Sequence, residues 1–445
     1  MSDAYVETLG WLYRLQARAG IQLKLERVRS AAQALGHPER AAPTIHVAGT
    51  NGKGSTVAML AAILRDAGHR VGVFSSPHLV SFCERITIGG VPITEDEVVE
   101  GVAHVRRTVP GGPEGLGLTS FEIMTLLAWW TFARHGVDVV VLEVGLGGRL
   151  DATNVVTPAV TIITNVAVDH EAFLGSDLEG IAGEKAGIIK PGVPVVAGGT
   201  GVAAQVIRAR AETLGSAYQE RGIDFDLTSG AGVGDGLVFR SPMRTIDDLH
   251  LRLQGRHQQA NAALALRALE LMPAFVPSPE SVRAGLARAD WPGRLQLVRE
   301  SPRVLLDCAH NPAAIDVVVD EVRASAAGRT VRVLFGVMQD KSWHRMLESL
   351  ARLATEIVLT RPRQARSADP RVLADAVSIP HRVDDDPERA YRTLVERSAP
   401  DDLVLVTGSI FLVGDVLPVV EPAYRVAAAR ERQAAVQAEM LRGRA

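Results

Sequence analysis

The chain has 445 residues, 47% of them hydrophobic and 22% charged, with a formal net charge of -3. That length exceeds one ordinary hydrophobic core, so two domains are expected, and the composition excludes a disordered or fibrous chain. The near-neutral balance argues against a protein built to bind nucleic acid.

The opening segment MSDAYVETLGWLYRLQARAG is broken by Asp3, Glu7 and Arg14, unlike a secretory signal. No apolar stretch is long enough to span a bilayer. Cys83 and Cys308 stand far apart, without the spacing of a metal or redox motif, and read as buried small side chains. A cytoplasmic protein with no membrane partner is expected.

In chain order, the β-branched runs TIHVAG, VGVFSS, VDVVVLEVG, VTIITNV and VPVVAG alternate with helical patterns. This alternation predicts an α/β protein with parallel strands and crossover helices. The run 137–144 is apolar apart from Asp138 and the closing Glu143, as in a strand covered on both faces. Before it, Ile123, Leu127 and Trp130 keep helical spacing, and Thr119 with Glu122 forms a capping-box pattern. From 222 to 253 the texture changes to short strand pieces with Gly-rich turns (TSGAGVGDGLVF), predicting a small antiparallel excursion. HQQANAALALRALE resumes a helix, and WPGR (291–294) reads as a linker. A second strand–helix series follows in RVLLDCAHNP, VRVLFGV, TEIVLT and DLVLVTGS, each ending in a polar or Gly-rich turn as in a Rossmann-like sheet. The tail 425–445, with five Arg against two Glu, reads as a solvated terminal helix.

HVAGTNGKGST (46–56) runs from a strand into a helix and departs twice from the usual phosphate-loop spelling, at Val47 and Gly54. Its context still points to phosphate: Thr50, Asn51, Gly52, Lys53, Gly54, Ser55 and Thr56 join a Gly-rich turn to a helix N-terminus. Lys53, solvent-facing without ligand, would reach the terminal phosphates, and Ser55 or Thr56 would offer a hydroxyl to Mg²⁺. The alternative is a structural Gly-rich turn with an exposed lysine. Glu143, at the end of an apolar strand, is either a Mg²⁺ ligand or a strand-end acid facing solvent. The adjoining GLGGRL is no dinucleotide fingerprint, since Leu150 replaces the last glycine. His170 lies just beyond another strand of the same sheet, as a metal ligand or a surface residue. Asp307, with His310 and Asn311, ends a strand of the second series, where a carboxylate would grip ribose hydroxyls. Arg294, in the linker, would reach a phosphate from either domain.

The variant loop resembles that of the Mur ligase superfamily, specifically the folylpolyglutamate synthase/dihydrofolate synthase family. SSPHL (75–79), LEVGLGGRLDATN (142–154), Asp169–His170, EKAGIIK (184–190), HQQANAALA (257–265), PGR (292–294), DCAHNP (307–312) and VTGS (406–409) are similar to the family's successive blocks, in its order. The resemblance implies a P-loop ATPase and pterin-binding domain over 1–293 and a smaller Rossmann-like domain over 294–445. It implies ATP and two Mg²⁺ ions as cofactors, with a monovalent cation such as K⁺. Ser76 would join Glu143 and His170 in a metal shell, against its plain reading as a turn residue before Pro77. Asn261, otherwise an N-cap-like residue, would contact ATP with Arg294, Asp307 and His310 when the domains close. Thr119, Ser120, Phe121 and Glu122, with Leu150, Asp151 and Ala152, match positions lining a dihydropteroate site. From the residues alone, a helix cap and a core Phe explain the first four equally well. Lys185, otherwise a solvated partner of Glu184, matches a lysine carbamylated by CO₂. Lys24, in KLERV, stands where the family has Gly before Leu-Glu-Arg, and the role of Asp340 and Lys341 (QDKS) stays open.

The function implied is ATP-dependent addition of L-glutamate to dihydropteroate or a reduced folate through an acyl phosphate, by a monomer. The rivals are another Mur-type amino-acid ligase, a P-loop kinase and a nucleotide-binding regulator. Only 45 residues precede His46, which argues against a peptidoglycan Mur ligase with its leading UDP-substrate domain.

Overall fold

A computed structural model describes residues 3–19, 24–230 and 236–442; residues 21–23, just before KLERV, and 231–235, within the Gly-rich excursion, lie outside them. The expected α/β architecture is present, organised by three sheets. The largest has eight strands in the order Val91–Pro92, Ile86–Ile88, Val71–Phe74, Val139–Glu143, Thr44–Ala48, Val160–Ile163, Val195–Ala197 and Tyr218–Glu220. The first two form an antiparallel edge, and every pairing from Val71–Phe74 onward is parallel.

The central strands are buried along their whole length because helices cover both faces. Alternation along Val139–Glu143 sorts the two sides. Val139 and Val141 pack with the helices Lys53–Asp66 and His257–Glu270, while Val140 and Leu142 pack with Ser120–His135. The excursion is a three-stranded antiparallel sheet, Asp226–Ser229, Leu237–Arg240 and Thr245–Leu249, whose Leu227, Phe239 and Ile246 join the first of these clusters.

The third sheet runs Gln296–Glu300, Arg303–Leu306, Leu403–Thr407, Val331–Phe335, Glu356–Thr360 and His381–Asp384, parallel except for its first strand. The helices Pro312–Ala326 and Trp343–Ala351 cover one face, and Pro387–Arg397 and Ile410–Val420 the other. Both parallel sheets point their carboxyl-end loops toward a common cavity, described below.

The tail corrects the sequence reading. Its helix, Arg425–Arg442, is not solvated but packs on the first helix, Asp3–Ala19, with Ala434 and Ala438 buried. The acid Glu431 explains this: it accepts hydrogen bonds from Tyr5 and Tyr13, which an Arg-rich composition does not announce. Cys83 and Cys308 are buried and unpaired, as expected. Among the described residues no helix is long and apolar enough to cross a membrane.

Candidate active site

The strand Thr44–Ala48 lies between two parallel neighbours and leaves the sheet through a turn into the helix Lys53–Asp66. The turn is fastened to the exit of the next strand. Thr50 N–H donates to the Asn165 carbonyl at 2.9 Å, Asn51 N–H to Asn165 Oδ1 at 2.8 Å, and Thr164 Oγ1 to the Asn51 carbonyl at 2.6 Å. No side chain caps the following helix, so its first-turn N–H groups are open to an anion.

Lys53 does not stretch into solvent as expected. Its Nζ folds back onto the carbonyls of Gly49 and Thr50, at 3.1 Å each. A cation without its anion takes the nearest acceptors. Gly54 accounts for the unusual spelling: a Cβ there would sit 2.6 Å from Nε1 of Trp291. The WPGR segment therefore lies directly on the loop, and the residue after Lys53 must lack a side chain. Ser55 lines the cavity, whereas Thr56 turns into the core, where its Oγ1 has no hydrogen-bond partner among the described residues. Of the two hydroxyls, only Ser55 is available.

The cavity has a volume of about 660 Å³. Thr50, Asn51, Gly52, Lys53, Gly54 and Ser55 form one wall with Ser76, Glu143, His170 and Lys185. Arg294, Asp307 and His310 face them from the six-stranded unit, and Asn261 lies over Gly52. Asn261 does not begin its helix but lies one turn inside His257–Glu270.

Glu143 is 4% exposed and, among the described residues, its side chain accepts one bond, from Ser76 N–H at 3.3 Å. Burial raises its pKa, against the pull of Lys53, the Ser76 N–H and Arg294. A buried carboxylate with so few partners suits a divalent ion. Among the described residues no three His, Cys, Asp or Glu side chains converge on a metal-sized site. An ion here would draw most of its shell from phosphate and water. Lys185 is 3% exposed at the end of the helix Leu178–Ala186, and Glu184 pairs with Arg149 instead of with it. Burial and the nearby charge of Lys53, only partly offset by Asp169, lower its pKa to about 7. His170, 40% exposed, begins a short helix in a left-handed backbone conformation. Partial burial and the cations Lys341, His310 and Lys53 outweigh Asp169 and lower its pKa to about 4.

Asp307 is already engaged: its oxygens accept the N–H groups of Leu295 and Ala309, both at 2.8 Å, tying the linker to the strand end. Residues named from the sequence without a settled role complete the seam. Asp169 receives Lys341 Nζ at 2.5 Å and Asn311 Nδ2 at 3.0 Å, and Asn311 also donates to Asn51 Oδ1 at 2.9 Å. Burial alone would raise the Asp169 pKa, but His310, Lys341 and His170 hold it well below the usual carboxylate range. The family-like blocks Asp169–His170 and QDKS contain both members of this ion pair, which was the available signal.

The segments at 119–122 and 150–152 do not line this cavity. Thr119 and Glu122 form a true capping box, with Thr119 N–H donating to Glu122 Oε2 at 2.6 Å, and Arg27 meets Oε1 at 3.1 Å. Ser120 is buried in the same first turn, and the ring of Phe121 lies against Gly145, two residues past Glu143. Asp151 organises its own turn, accepting from Leu146 N–H and from Thr153 N–H and Oγ1, with Leu150 and Ala152 flanking it. These segments back onto the cavity wall rather than forming it.

A phosphate loop and a second α/β unit closing on one cavity are the parts of an ATP-dependent amino-acid ligase. Residues 47–269 match the Mur ligase middle domain, and residues 293–410 match the Mur ligase glutamate ligase domain. The chain is 37% identical to the dihydrofolate synthase/folylpolyglutamate synthase of Bacillus subtilis, over 94% of this chain and 99% of that protein. It is similar to the structure of Escherichia coli FolC in complex with DHPP and ADP, with a TM-score of 0.87, 34% identity, and 95% and 100% of the two chains covered. A Yersinia pestis bifunctional folylpolyglutamate synthase/dihydrofolate synthase complexed with AMPPNP and Mn ion gives a TM-score of 0.84 at 36% identity, covering 94% and 99%. The chain belongs to the dihydrofolate synthase/folylpolyglutamate synthase family of Mur ligases. It is an ATP-dependent ligase that adds glutamate to folates.

Proposed function

We propose that the enzyme accepts dihydropteroate, a reduced folate or both, and activates the carboxylate as an acyl phosphate that the amine of L-glutamate then displaces. The observation carrying this reading is the convergence of Lys53, Glu143, Asp307 and His310, from both large sheets, on one cavity. Lys53 leaves the Gly49 and Thr50 carbonyls to neutralise the transferring phosphoryl group, together with the open N–H groups of the loop. Thr50, Asn51, Gly52 and Gly54 shape the phosphate cradle. Asn261, Arg294, Asp307 and His310 hold the nucleoside and phosphates from the opposite wall.

The poorly satisfied Glu143 carboxylate fits a divalent cation. Ser55 would hold one Mg²⁺ with the phosphates, and Ser76, Glu143 and His170 a second. Mg²⁺ supplies neutralisation of phosphate charge when bound. The Mn ion and AMPPNP of the Yersinia pestis relative support this cofactor set, to which a monovalent cation such as K⁺ is added. Lys185 is carbamylated: its neutral amine bonds to the carbon of CO₂ and releases one proton to water. Its burial without an ion pair among the described residues supports this, because only a neutral amine reacts. Phe121 offers a face to the second substrate, with Thr119, Ser120 and Glu122 fixing its helix and Leu150, Asp151 and Ala152 the neighbouring turn. The domains divide between residues 293 and 294, and the protein works as a cytoplasmic monomer.

The test is incubation with ATP and L-glutamate, plus dihydropteroate or tetrahydrofolate, read by mass spectrometry. An adduct heavier by one glutamyl unit is expected. No adduct with either pterin would overturn the reading, and an adduct with dihydropteroate alone would restrict it to synthase activity.

A further inference from the structure

The loop at 75–85 begins in the cavity and ends beneath the C-terminal helix. Ser75 N–H donates to the Arg85 carbonyl at 2.9 Å and closes its base. Ser76 lines the cavity and provides the N–H that meets Glu143. Inside the loop, Glu84 accepts the N–H groups of Leu79, Val80 and Ser81 at 2.8, 3.1 and 2.7 Å. The next N–H, from Phe82, is accepted from outside the loop by Glu431 at 2.7 Å, across 349 residues of sequence.

Among the described residues Glu431 otherwise accepts only from the first helix, Tyr5 at 3.3 Å and Tyr13 at 2.5 Å. Glu431 is half-buried, and removing a partly desolvated carboxylate leaves the donors that fill its lone pairs bare. One of its three donors belongs to the loop that carries Ser76. The loop is also gripped from the other unit. Val80, 5% exposed, packs with Leu306, Cys308 and Val413 of the six-stranded unit. The helix Ile410–Val420 comes so close that a Cβ on Gly414 would lie 2.2 Å from the Leu79 carbonyl oxygen. The loop, set between two strands of the eight-stranded sheet, is therefore also gripped by the six-stranded unit, and Glu431 ties its far side to the packed helix pair Asp3–Ala19 and Arg425–Arg442.

We infer that Glu431 is a positioning residue for ligation: through the Phe82 N–H it ties the 75–85 loop to the helix pair Asp3–Ala19 and Arg425–Arg442 and so fixes Ser76 beside Glu143. The inference rests on the reading of Ser76 and Glu143 as the metal-side wall. Without the tie, Val80 keeps the loop in step with the six-stranded unit, and Ser76 drifts from Glu143 whenever the units move apart.

The test uses full-length Glu431→Ala and Glu431→Gln, with Tyr5→Phe/Tyr13→Phe as the variant that keeps the Phe82 bond. In Glu431→Ala, amide exchange of the 75–85 peptide should rise about ten-fold while the Lys53–Asp66 helix is unchanged. The Mg²⁺ concentration for half-maximal rate should rise about five-fold, with kcat at saturating Mg²⁺ within about two-fold of the parent. Glu431→Gln, which keeps an oxygen for Phe82, and the double Tyr variant should both stay near the parent. Unchanged exchange in a folded Glu431→Ala protein would overturn the tie, as would faster exchange spread evenly over the chain. A loosened loop with an unshifted Mg²⁺ requirement would overturn the positioning role. A parent enzyme with no Mg²⁺ dependence would count against the metal wall, while the exchange data still decide the tie.

Discussion

Glu122 and Glu143 flank one crossover unit, the helix Ser120–His135 and the strand Val139–Glu143, and are buried alike at 2% and 4% exposure. Their surroundings differ. Glu122 accepts the Thr119 N–H and meets Arg27, so its charge is answered by the fold. Glu143 has a single long contact with Ser76, and its remaining lone pairs face the cavity. Burial without partners is unfavourable in the empty protein and persists where a ligand completes the site. Lys185 and Lys341 repeat the contrast among cations: Lys341 is ion-paired with Asp169, whereas Lys185 makes no ion pair among the described residues and is only partly offset by the Asp169 charge. Within this fold, under-satisfied buried charge marks the chemistry, and fully satisfied charge marks the scaffold.

The largest effect is expected at the loop. Lys53→Ala should reduce ligation by at least about 10³-fold, since no other group there replaces the cation on the phosphates. Because Nζ bonds two loop carbonyls, urea denaturation should register a loss of about 1 kcal/mol. Near-normal turnover would remove the loop from the mechanism. Lys185→Ala should come next, falling by about 10²-fold and partly restored by acetate. Its pH dependence has a defined sign. With a folded pKa of about 7 against 10.5, the unfolded chain holds more protons between these values. The unmodified protein therefore gains stability as pH rises through that window. The same deprotonation frees the amine, so at a fixed concentration of dissolved CO₂ the CO₂-stripped enzyme should reactivate faster above pH 7 than below it. Equal reactivation on both sides would contradict carbamylation.

The carboxylate contrast is tested by a matched pair. Glu143→Gln should lower the rate about 100-fold at fixed Mg²⁺ and leave thermal stability equal or higher. Glu122→Gln should lower stability by about 1–2 kcal/mol and the rate only a few-fold. If both variants lose stability alike, or turnover alike, the two acids are not the different things described above. The smallest effect belongs to His170→Ala, whose ring is 40% exposed: about a three-fold higher Mg²⁺ requirement, measured by titrating the metal at saturating ATP.

Much of this was legible in the sequence because it is local. The run at 137–144, apolar without alternation between Asp138 and Glu143, marked a strand covered on both faces, and the Thr119–Glu122 spacing marked the capping box. The loop, the Gly-rich excursion and the second strand series followed from short-range pattern in the same way. Three features were not legible, each because it joins residues remote in sequence. Trp291 over Gly54 explains the loop's spelling only in three dimensions. The Asp169–Lys341 pair spans 172 residues, and each member alone reads as a surface charge. The terminal helix looked solvated because composition averages its Arg residues and hides one Glu aimed at two tyrosines. The orientation of Thr56 and of Lys53 likewise depends on what surrounds them, not on the motif.

The claim at the centre of this account is that the loop's phosphate activates a carboxyl group. It is tested most directly by supplying dihydropteroate labelled with ¹⁸O in its carboxylate, together with ATP and L-glutamate, and analysing the phosphate released. An acyl phosphate hands one carboxylate oxygen to phosphorus when the amine displaces it, so each ligation should yield inorganic phosphate carrying one ¹⁸O. Amide product accompanied by unlabelled phosphate would contradict the account.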